Sequence, residues 1–407
     1  MSSSKTPLAE KTRSQIGVGG FRISQRAKEL VMQTLDSNRL TAGPMMADFE
    51  KRIAESHASR YALMCNSGTS ALHIALAALK EKYAWRDGDE VLVPAVTFVA
   101  TANVVLYNNL TPVFVDVERE FYDIDPAKIE EQITPRTRAI MPVHIGGLPC
   151  DMDPILELAG RYGLRVVEDS AECMFVRYKG RPVGSFGDIG CFSTYAAHII
   201  STGVGGLCVT SDPELIVLLK SLMNHGRDAR YIRIDDDAVL HGSELFEVVQ
   251  RRFRFSRLGH SFRATEMEAA IGLAQFEERE QAWNRRRDIV ARLNAGLSVL
   301  QPRLQLPTPR PRTENAYMFY PIVVADAQVR RDDLIQHLED RQIETRYLLP
   351  LINQPLYRDL YPNLEARFPV ASWLNENAFY IGCHPEMSNT DVDYVIGQFH
   401  AYFGVQP

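Results

Sequence analysis

Four short stretches of this chain carry side chains able to do chemistry. His198 stands in Ala196-Ala197-His198-Ile199-Ile200, just ahead of the glycine-rich run Ser201-Thr202-Gly203-Val204-Gly205-Gly206. An imidazole with its ordinary pKa of about 6.5 is a serviceable general base near neutrality. A lone histidine is, more often, a satisfied core or surface residue. Asn66-Ser67-Gly68-Thr69-Ser70 follows an apolar run and opens a helical pattern. The free amides and dipole of a helix start suit a phosphate, and the hydroxyls of Thr69 and Ser70 add donors. Such a turn is equally an ordinary N-cap. In Glu168-Asp169-Ser170-Ala171-Glu172, Asp169 closes a strand-like run. A carboxylate at that edge can take an N–H from a ligand, or simply begin a turn. Arg346, in Ile343-Glu344-Thr345-Arg346, has the fork to grip a carboxylate or phosphate, and fits a surface position as well.

To bring these stretches together, the chain must set strand ends beside helix starts. Apolar β-rich runs fall at 61–65, 90–93, 111–115, 137–143, 165–168, 189–193 and 206–210, with helical patterns at 69–80, 100–107, 126–133 and 154–162. That alternation predicts an α/β fold with a mainly parallel sheet between helix layers. Helical patterns at 24–37 and 46–56 precede it, and a long charged one at 263–297 follows. Beyond Leu306-Pro307-Thr308-Pro309-Arg310-Pro311 the pattern changes, to strands at 317–324 and 344–348 and helices at 331–341 and 390–403. The expected organisation is an N-terminal arm and helix (1–40), a large domain (41–275) and a smaller α+β C-terminal domain (276–407).

A net charge of −6 gives no electrostatic case for nucleic acid or an anionic membrane as partner. No apolar run of about 18 residues appears, so no membrane span is expected. The start, Met1-Ser2-Ser3-Ser4-Lys5, lacks the apolar centre of a secretory leader, and a cytoplasmic location is expected. Cys65, Cys150, Cys173, Cys191, Cys208 and Cys383 form no Cys-x-x-Cys pair. Their spacing argues against a local metal or iron–sulfur site and for buried free thiols.

The run from Gly184 through Asp188, Phe192, Ser193 and His198 to Gly206 resembles the cofactor-lysine segment of the DegT/DnrJ/StrS sugar aminotransferases. These are fold-type I enzymes that use pyridoxal phosphate (PLP). The family pattern is roughly Gly-Asp-x-x-x-Phe-Ser-Phe-x-x-x-Lys followed by Thr-Gly-Glu-Gly-Gly. Here His198 replaces the lysine and Val204 the glutamate; Lys179, the nearest lysine, reads as a solvated hairpin tip. The resemblance implies a seven-stranded sheet with one antiparallel strand. It also implies that Gly68, Thr69, Ser70 and Ser193 hold the cofactor phosphate, that Asp169 binds the pyridine N–H, and that Phe98 stacks on the ring. The alternative for Phe98 is a plain core position. Glu172 stands where a Gln or His commonly meets the ring hydroxyl. Gly259-His260-Ser261-Phe262-Arg263 is similar to the Gly-Tyr-Asn-x-Arg segment by which a second subunit closes the site. That match implies a homodimer with shared sites, Ser261 giving a weaker phosphate contact than Asn, and substrate contacts from Arg263 and Arg346. His144, His225 and His260 are taken as structural or supporting residues.

Lysine in this family holds the cofactor as a Schiff base and also moves a proton at C4′. Histidine can do only the second. The resemblance therefore implies PLP, or its amine form PMP, held non-covalently. The family's 3-dehydratases of nucleotide-linked 4-keto-6-deoxyhexoses carry His at this point. Phe379-Tyr380-Ile381-Gly382-Cys383-His384-Pro385 also looks like that branch's ending, while Ile199 departs from its second His. The expected reaction removes the C3 hydroxyl, with His198 as base, and L-glutamate regenerates PMP. The dispersed cysteines favour this glutamate-dependent kind, typified by GDP-4-keto-6-deoxymannose 3-dehydratases, over the iron–sulfur kind. Two rivals remain: a sugar aminotransferase using another lysine, and a non-catalytic nucleotide-sugar or PLP-binding homologue.

Overall fold

The computed structural model describes residues 14–228 and 239–405; residues 1–13 of the expected arm and the last two of the expected C-terminal domain lie outside them. Among the described residues up to Thr210, nine strands occur: β1 Tyr61–Cys65, β2 Glu90–Pro94, β3 Thr111–Val115, β4 Thr137–Ile140, β5 Arg165–Asp169, β6 Arg177–Tyr178, β7 Arg181–Pro182, β8 Ile189–Ser193 and β9 Gly206–Thr210. Seven form one sheet in the order β1-β9-β8-β5-β4-β2-β3. Strand β9 runs antiparallel to both β1 and β8, and the remaining pairs are parallel. The implied single antiparallel strand is therefore present. Strands β6 and β7 make a separate hairpin with Lys179 and Gly180 at its tip.

Alternation along the strands builds the three layers. Leu63 and Cys65 of β1 face one core, Ala62 and Met64 the other; Val91 and Val93 of β2 are likewise split from Leu92. In chain order the helices are α1 Gln25–Asp36, α2 Pro44–Ser56, α3 Gly68–Lys82, α4 Val99–Tyr107, α5 Pro126–Ile129, α6 Met152–Tyr162, α7 Pro213–Met223, α8 Gly242–Arg251 and α9 Glu266–Leu297. Apolar faces of α3, α4 and α7 pack on one side of the sheet; α6 packs on the other, as do α1, α2 and the first half of α9.

Helix α9 starts at Glu266 rather than at 263. A capping box between Thr265 and Glu268 closes its first turn, and buried Glu266 accepts the amides of Gly43, Met45 and Met46 at the start of α2. The expected helix at 126–133 is α5 followed by a short 3-10 turn, Glu130–Gln132. The boundary expected at residue 276 falls inside α9. The second half of that helix packs Ile289, Val290, Leu293 and Leu297 against a second sheet. This sheet comprises β10 Leu304–Gln305, β11 Tyr320–Val324, β12 Thr345–Tyr347 and β13 Ala378–Ile381, in the order β10-β11-β13-β12. Helices Arg331–Glu339 and Asn389–Phe403 contribute Leu334, Leu338, Val392 and Phe399 to the same core.

The N-terminal residues touch both cores. Ile16 bridges to Ile343 in the second, while Ala27 and Leu30 of α1 are buried in the first. Among the described residues, no helix is long and apolar enough to cross a membrane. All six cysteines are buried and free, and Cys191 and Cys208 face each other across β8 and β9 despite their distance in sequence.

Candidate functional site

The carboxyl edge of β5 carries two adjacent acids with different tasks. Asp169 accepts the Thr101 hydroxyl at 2.8 Å and the Ala171 amide at 3.2 Å, and Thr101 is in turn bonded to Thr97. Neither donor is charged, and burial pushes the Asp169 carboxyl above its ordinary range. A buried carboxylate served only by neutral donors is suited to a protonated ring nitrogen. Glu168, wholly buried, instead accepts the amides of Gly184, Phe186 and Gly187 at 2.6–2.7 Å, and lies 3.2 Å from His144 Nε2. His144 Nδ1 accepts the Cys150 amide, which leaves Nε2 to donate to Glu168. This bracket holds the segment leading into β8, and sequence reading did not single out Glu168.

Phe98 N-caps α4, one turn before Thr101, and its side chain is 58% exposed. The core reading of Phe98 is thereby overturned. An apolar ring left open beside the partner of Asp169 offers a face on which another ring can stack.

The helix start at Gly68 is built by close approach. A Cβ on Gly68 would lie 2.7 Å from the Cβ of Ser193, and one on Gly206 would lie 2.5 Å from the Gly68 amide. Ser67 caps the helix by accepting the Ser70 amide at 3.0 Å. The Ser70 hydroxyl is buried and donates to Asn66 Oδ1 at 2.7 Å, so it is committed to the turn rather than turned outward. Thr69 is exposed, and the first amides of α3 and the Ser193 hydroxyl lie at the same place. Free helix-start amides beside two hydroxyls have the polarity that suits a phosphate.

His198 sits on the loop leaving β8. Thr194 and Thr202 close the loop through hydroxyls 2.6 Å apart, with Gly205 pressed against both, and the His198 amide donates to the Tyr195 carbonyl at 2.9 Å. The Nδ1 atom is buried with no partner. Burial lowers the imidazole pKa to about 4, the charge of Arg286 adding to the effect. At neutral pH the ring is therefore in its basic form. Arg286 is itself 3% exposed and donates to the carbonyls of Tyr317 and Met318 at 3.0 Å.

Glu172 accepts the Gly146 amide at 2.7 Å, at a residue whose φ of +62° suits glycine. Burial, with the neighbouring Asp169 adding, raises its carboxyl pKa to about 7. Near neutrality a fraction is protonated and can donate a hydrogen bond, as a glutamine there would. The raised pKa means that Glu172 stabilises the fold below its unfolded pKa of about 4.5, and that this contribution is lost as pH rises through 7. Glu172→Gln is expected to remove a stability slope worth about 3 kcal/mol between pH 4.5 and 7. Thermal denaturation of both cofactor-free proteins across that window measures it; parallel curves would refute the assignment.

The remaining candidates are placed less centrally. Backbone of the segment 261–263 runs beside the phosphate turn, with the Phe262 carbonyl accepting the Asn66 amide at 2.8 Å. The Ser261 and Arg263 side chains are exposed and bond one another at 3.1 Å. His225 lies 3.3 Å from Arg263, and His260 stacks on Phe262. Arg346, on β12, is exposed and paired with Glu344; no contact ties it to Asp169 or His198. Lys179 pairs with Asp153 at the hairpin tip.

The model of the DegT/DnrJ/EryC1/StrS aminotransferase family matches residues 22–400. A GDP-perosamine synthase of Caulobacter vibrioides is 33% identical over 385 residues, 94% of this chain and 96% of its own. A dTDP-4-dehydro-2,6-dideoxy-D-glucose 3-dehydratase of Saccharopolyspora spinosa is 33% identical over 370 residues, 88% of this chain and 80% of its own. Among solved structures, the E. coli GDP-4-keto-6-deoxy-D-mannose-3-dehydratase with bound hydrated PLP aligns with a TM-score of 0.83 at 25% identity, covering 95% of this chain and 100% of that one. Related structures hold the cofactor in its PLP and PMP forms. With its fold-type I architecture and a family match over residues 22–400, the chain belongs to the PLP/PMP-using DegT/DnrJ/EryC1/StrS aminotransferase family.

Proposed function

We propose that this member of the family is a 3-dehydratase that removes the C3 hydroxyl from a nucleotide-linked 4-keto-6-deoxyhexose, with L-glutamate as amino donor. The observation that carries the reading is His198, a half-buried imidazole with Nδ1 unpartnered and its pKa lowered, where the family has its lysine. The cofactor in its amine form, when bound, supplies an amine for the C4 ketone and an electron sink for loss of the C3 hydroxyl. The chain's own residues do the rest. Asp169 keeps the pyridine nitrogen protonated, the Gly68–Thr69 turn and Ser193 anchor the phosphate, and the Phe98 ring stacks. His198 takes the proton from C4′ and holds it close to the departing hydroxyl.

Each turnover would yield a sugar lighter by one oxygen, one ammonia and one 2-oxoglutarate. The dispersal of six buried cysteines supports this kind over one that would need a thiolate-bound cluster. A homodimer is part of the proposal. Its support is two large apolar side chains left open in the segment preceding Ser261, Phe253 at 81% and Leu258 at 95% exposure. Mass spectrometry of the sugar, with ammonia and 2-oxoglutarate counted, tests the reaction on a panel of nucleoside-diphosphate 4-keto-6-deoxyhexoses. An amino sugar as product would refute it.

That refutation would favour a second reading, in which a lysine holds the cofactor. Lys28 of α1 lines the same cleft as His198. Borohydride reduction followed by peptide mapping would then find the cofactor on Lys28; under the dehydratase reading no peptide is labelled.

A further inference from the structure

A glycine-rich segment, Ile16-Gly17-Val18-Gly19-Gly20, runs from the second sheet to the loop of His198. Ile16 joins the residues that lead into β12: its amide donates to the Gln342 carbonyl at 2.8 Å, and its carbonyl accepts the Glu344 amide at 2.9 Å. Its side chain is buried in the core beside that sheet. The Val18 amide donates to Glu344 Oε2 at 2.8 Å. Two close approaches then fix the path. A Cβ on Gly382 would lie 2.2 Å from the Gly17 carbonyl oxygen, and one on Gly20 would lie 2.2 Å from His384 Nδ1. Gly19 stands between these pinned points, where a Cβ would lie 3.2 Å from the Ala197 methyl. Its backbone is not left-handed, so a side chain at Gly19 would offend through space alone.

We infer that Ile16–Gly20 is a positioning strap for the proposed base, carrying the placement of the second sheet to His198 through the contact of Gly19 with Ala197. The inference rests on the dehydratase reading for what His198 does; the contact itself does not. The base of the loop is closed by Thr194 and Thr202, and its tip is tied back by the bond from the His198 amide to the Tyr195 carbonyl. Beyond His198, Ile200 is buried in the core formed with α1, α2 and α9. Before it, Ala197 meets the strap. The imidazole is thus set between an anchored residue on one side and a packing contact on the other. A close-packed contact passes a push on rather than absorbing it. With the strap pinned on both sides of Gly19, the side that yields to added bulk is the loop tip. A reacting group misplaced by about 1 Å can lose about 100-fold in rate.

The test is a double-mutant cycle on the full chain: wild type, Gly19→Val, Ala197→Gly and the pair. In Gly19→Val, kcat is expected to fall about tenfold or more, with KM and PLP affinity within about twofold of wild type. Most of that cost should vanish when Gly19→Val is measured in the Ala197→Gly background, a coupling in kcat that a strap of purely structural role would not show. Amide hydrogen exchange of the peptide carrying Tyr195–Thr202, in the cofactor-free proteins, should follow the same pattern: faster in Gly19→Val, and no faster in the pair than in Ala197→Gly. Should Gly19→Val not fold, Gly19→Ala gives the same comparison with a smaller loss, about threefold. An unchanged kcat in the single variant overturns the inference, as does a loss of equal size in both backgrounds. If no sugar loses oxygen even with the wild type, exchange decides alone. The coupled pattern then keeps the strap while the dehydratase reading falls, and equal exchange with and without the Gly19 substitution overturns the strap.

Discussion

Asparagine in place of His198 is expected to lower kcat by about 10²- to 10⁴-fold, the usual worth of a positioned general base, with cofactor affinity nearly unchanged. The amide fills much of the same space but cannot accept a proton from carbon. Activity of the wild type should fall as pH drops through the pKa of the imidazole, because only the neutral ring is a base. That pKa is lowered to about 4 by burial and by Arg286 in the cofactor-free protein. Negative charge brought in by a bound phosphate opposes Arg286 and moves the acid limb upward, toward neutrality. Single-turnover kinetics of the PMP-loaded variant, followed by absorbance and sugar mass, measure the loss directly. Turnover within threefold of wild type would remove His198 from the mechanism.

Asp169 gives the second large effect, of a different signature. Asp169→Asn keeps the volume and removes the charge that, in the proposed function, holds the pyridine nitrogen protonated. The expected loss in kcat is about 100-fold or more, since a buried charge pair broken on one side costs about 2–5 kcal/mol. Cofactor affinity should weaken as well, read by absorbance titration with PLP. Stability should not follow activity. The raised pKa of Asp169 means that its ionised form at neutral pH is a net cost to the cofactor-free fold, a cost absent only at acid pH where the carboxyl is protonated. The Tm of the cofactor-free Asp169→Asn protein is therefore expected to equal or exceed that of wild type. A variant that loses both activity and several degrees of Tm would show Asp169 to be structural instead.

Much of the large sheet could be read from sequence because its strands are buried on both faces. Such strands are short apolar runs ended by turn residues, and β1, β3, β8 and β9 match the reading residue for residue. The second sheet was harder to read. Strand β10 has two residues, and β13 lies in a stretch recognised by its motif rather than its pattern. Helices α7 and α8 have weaker sequence signals, although Asp212-Pro213 before an apolar run marks a helix start for the first. Thr265-Glu266-Met267-Glu268 likewise spells the capping box that sets the start of α9.

In the site, residues defined by type and neighbours were legible and residues defined by tertiary context were not. Phe98 caps α4 with its ring exposed, Asp169 ends β5 and Gly68 opens α3, each on the element its segment implied. Arg286 was hidden because Asn284-Arg285-Arg286-Arg287-Asp288 reads as a solvated charge run. Only the packing of α9 against Tyr317 and Met318 buries one of its three arginines. The sequence points the Ser70 hydroxyl at a phosphate, yet in the fold it donates to Asn66 Oδ1.

The adjacency of Glu168 and Asp169 on β5 has a consequence for how the gene can vary. Successive strand residues point to opposite faces, so one carboxylate serves the Gly184–Gly187 bracket and the other accepts the Thr101 hydroxyl. Losing a single codon upstream within β5 would exchange these duties, and the shorter acid would be left to span a gap made for the longer one. Losing two codons would restore the parity. The number of residues in this strand is thus held more tightly than the identity of most of them, and length variation in relatives should gather in the loops on either side.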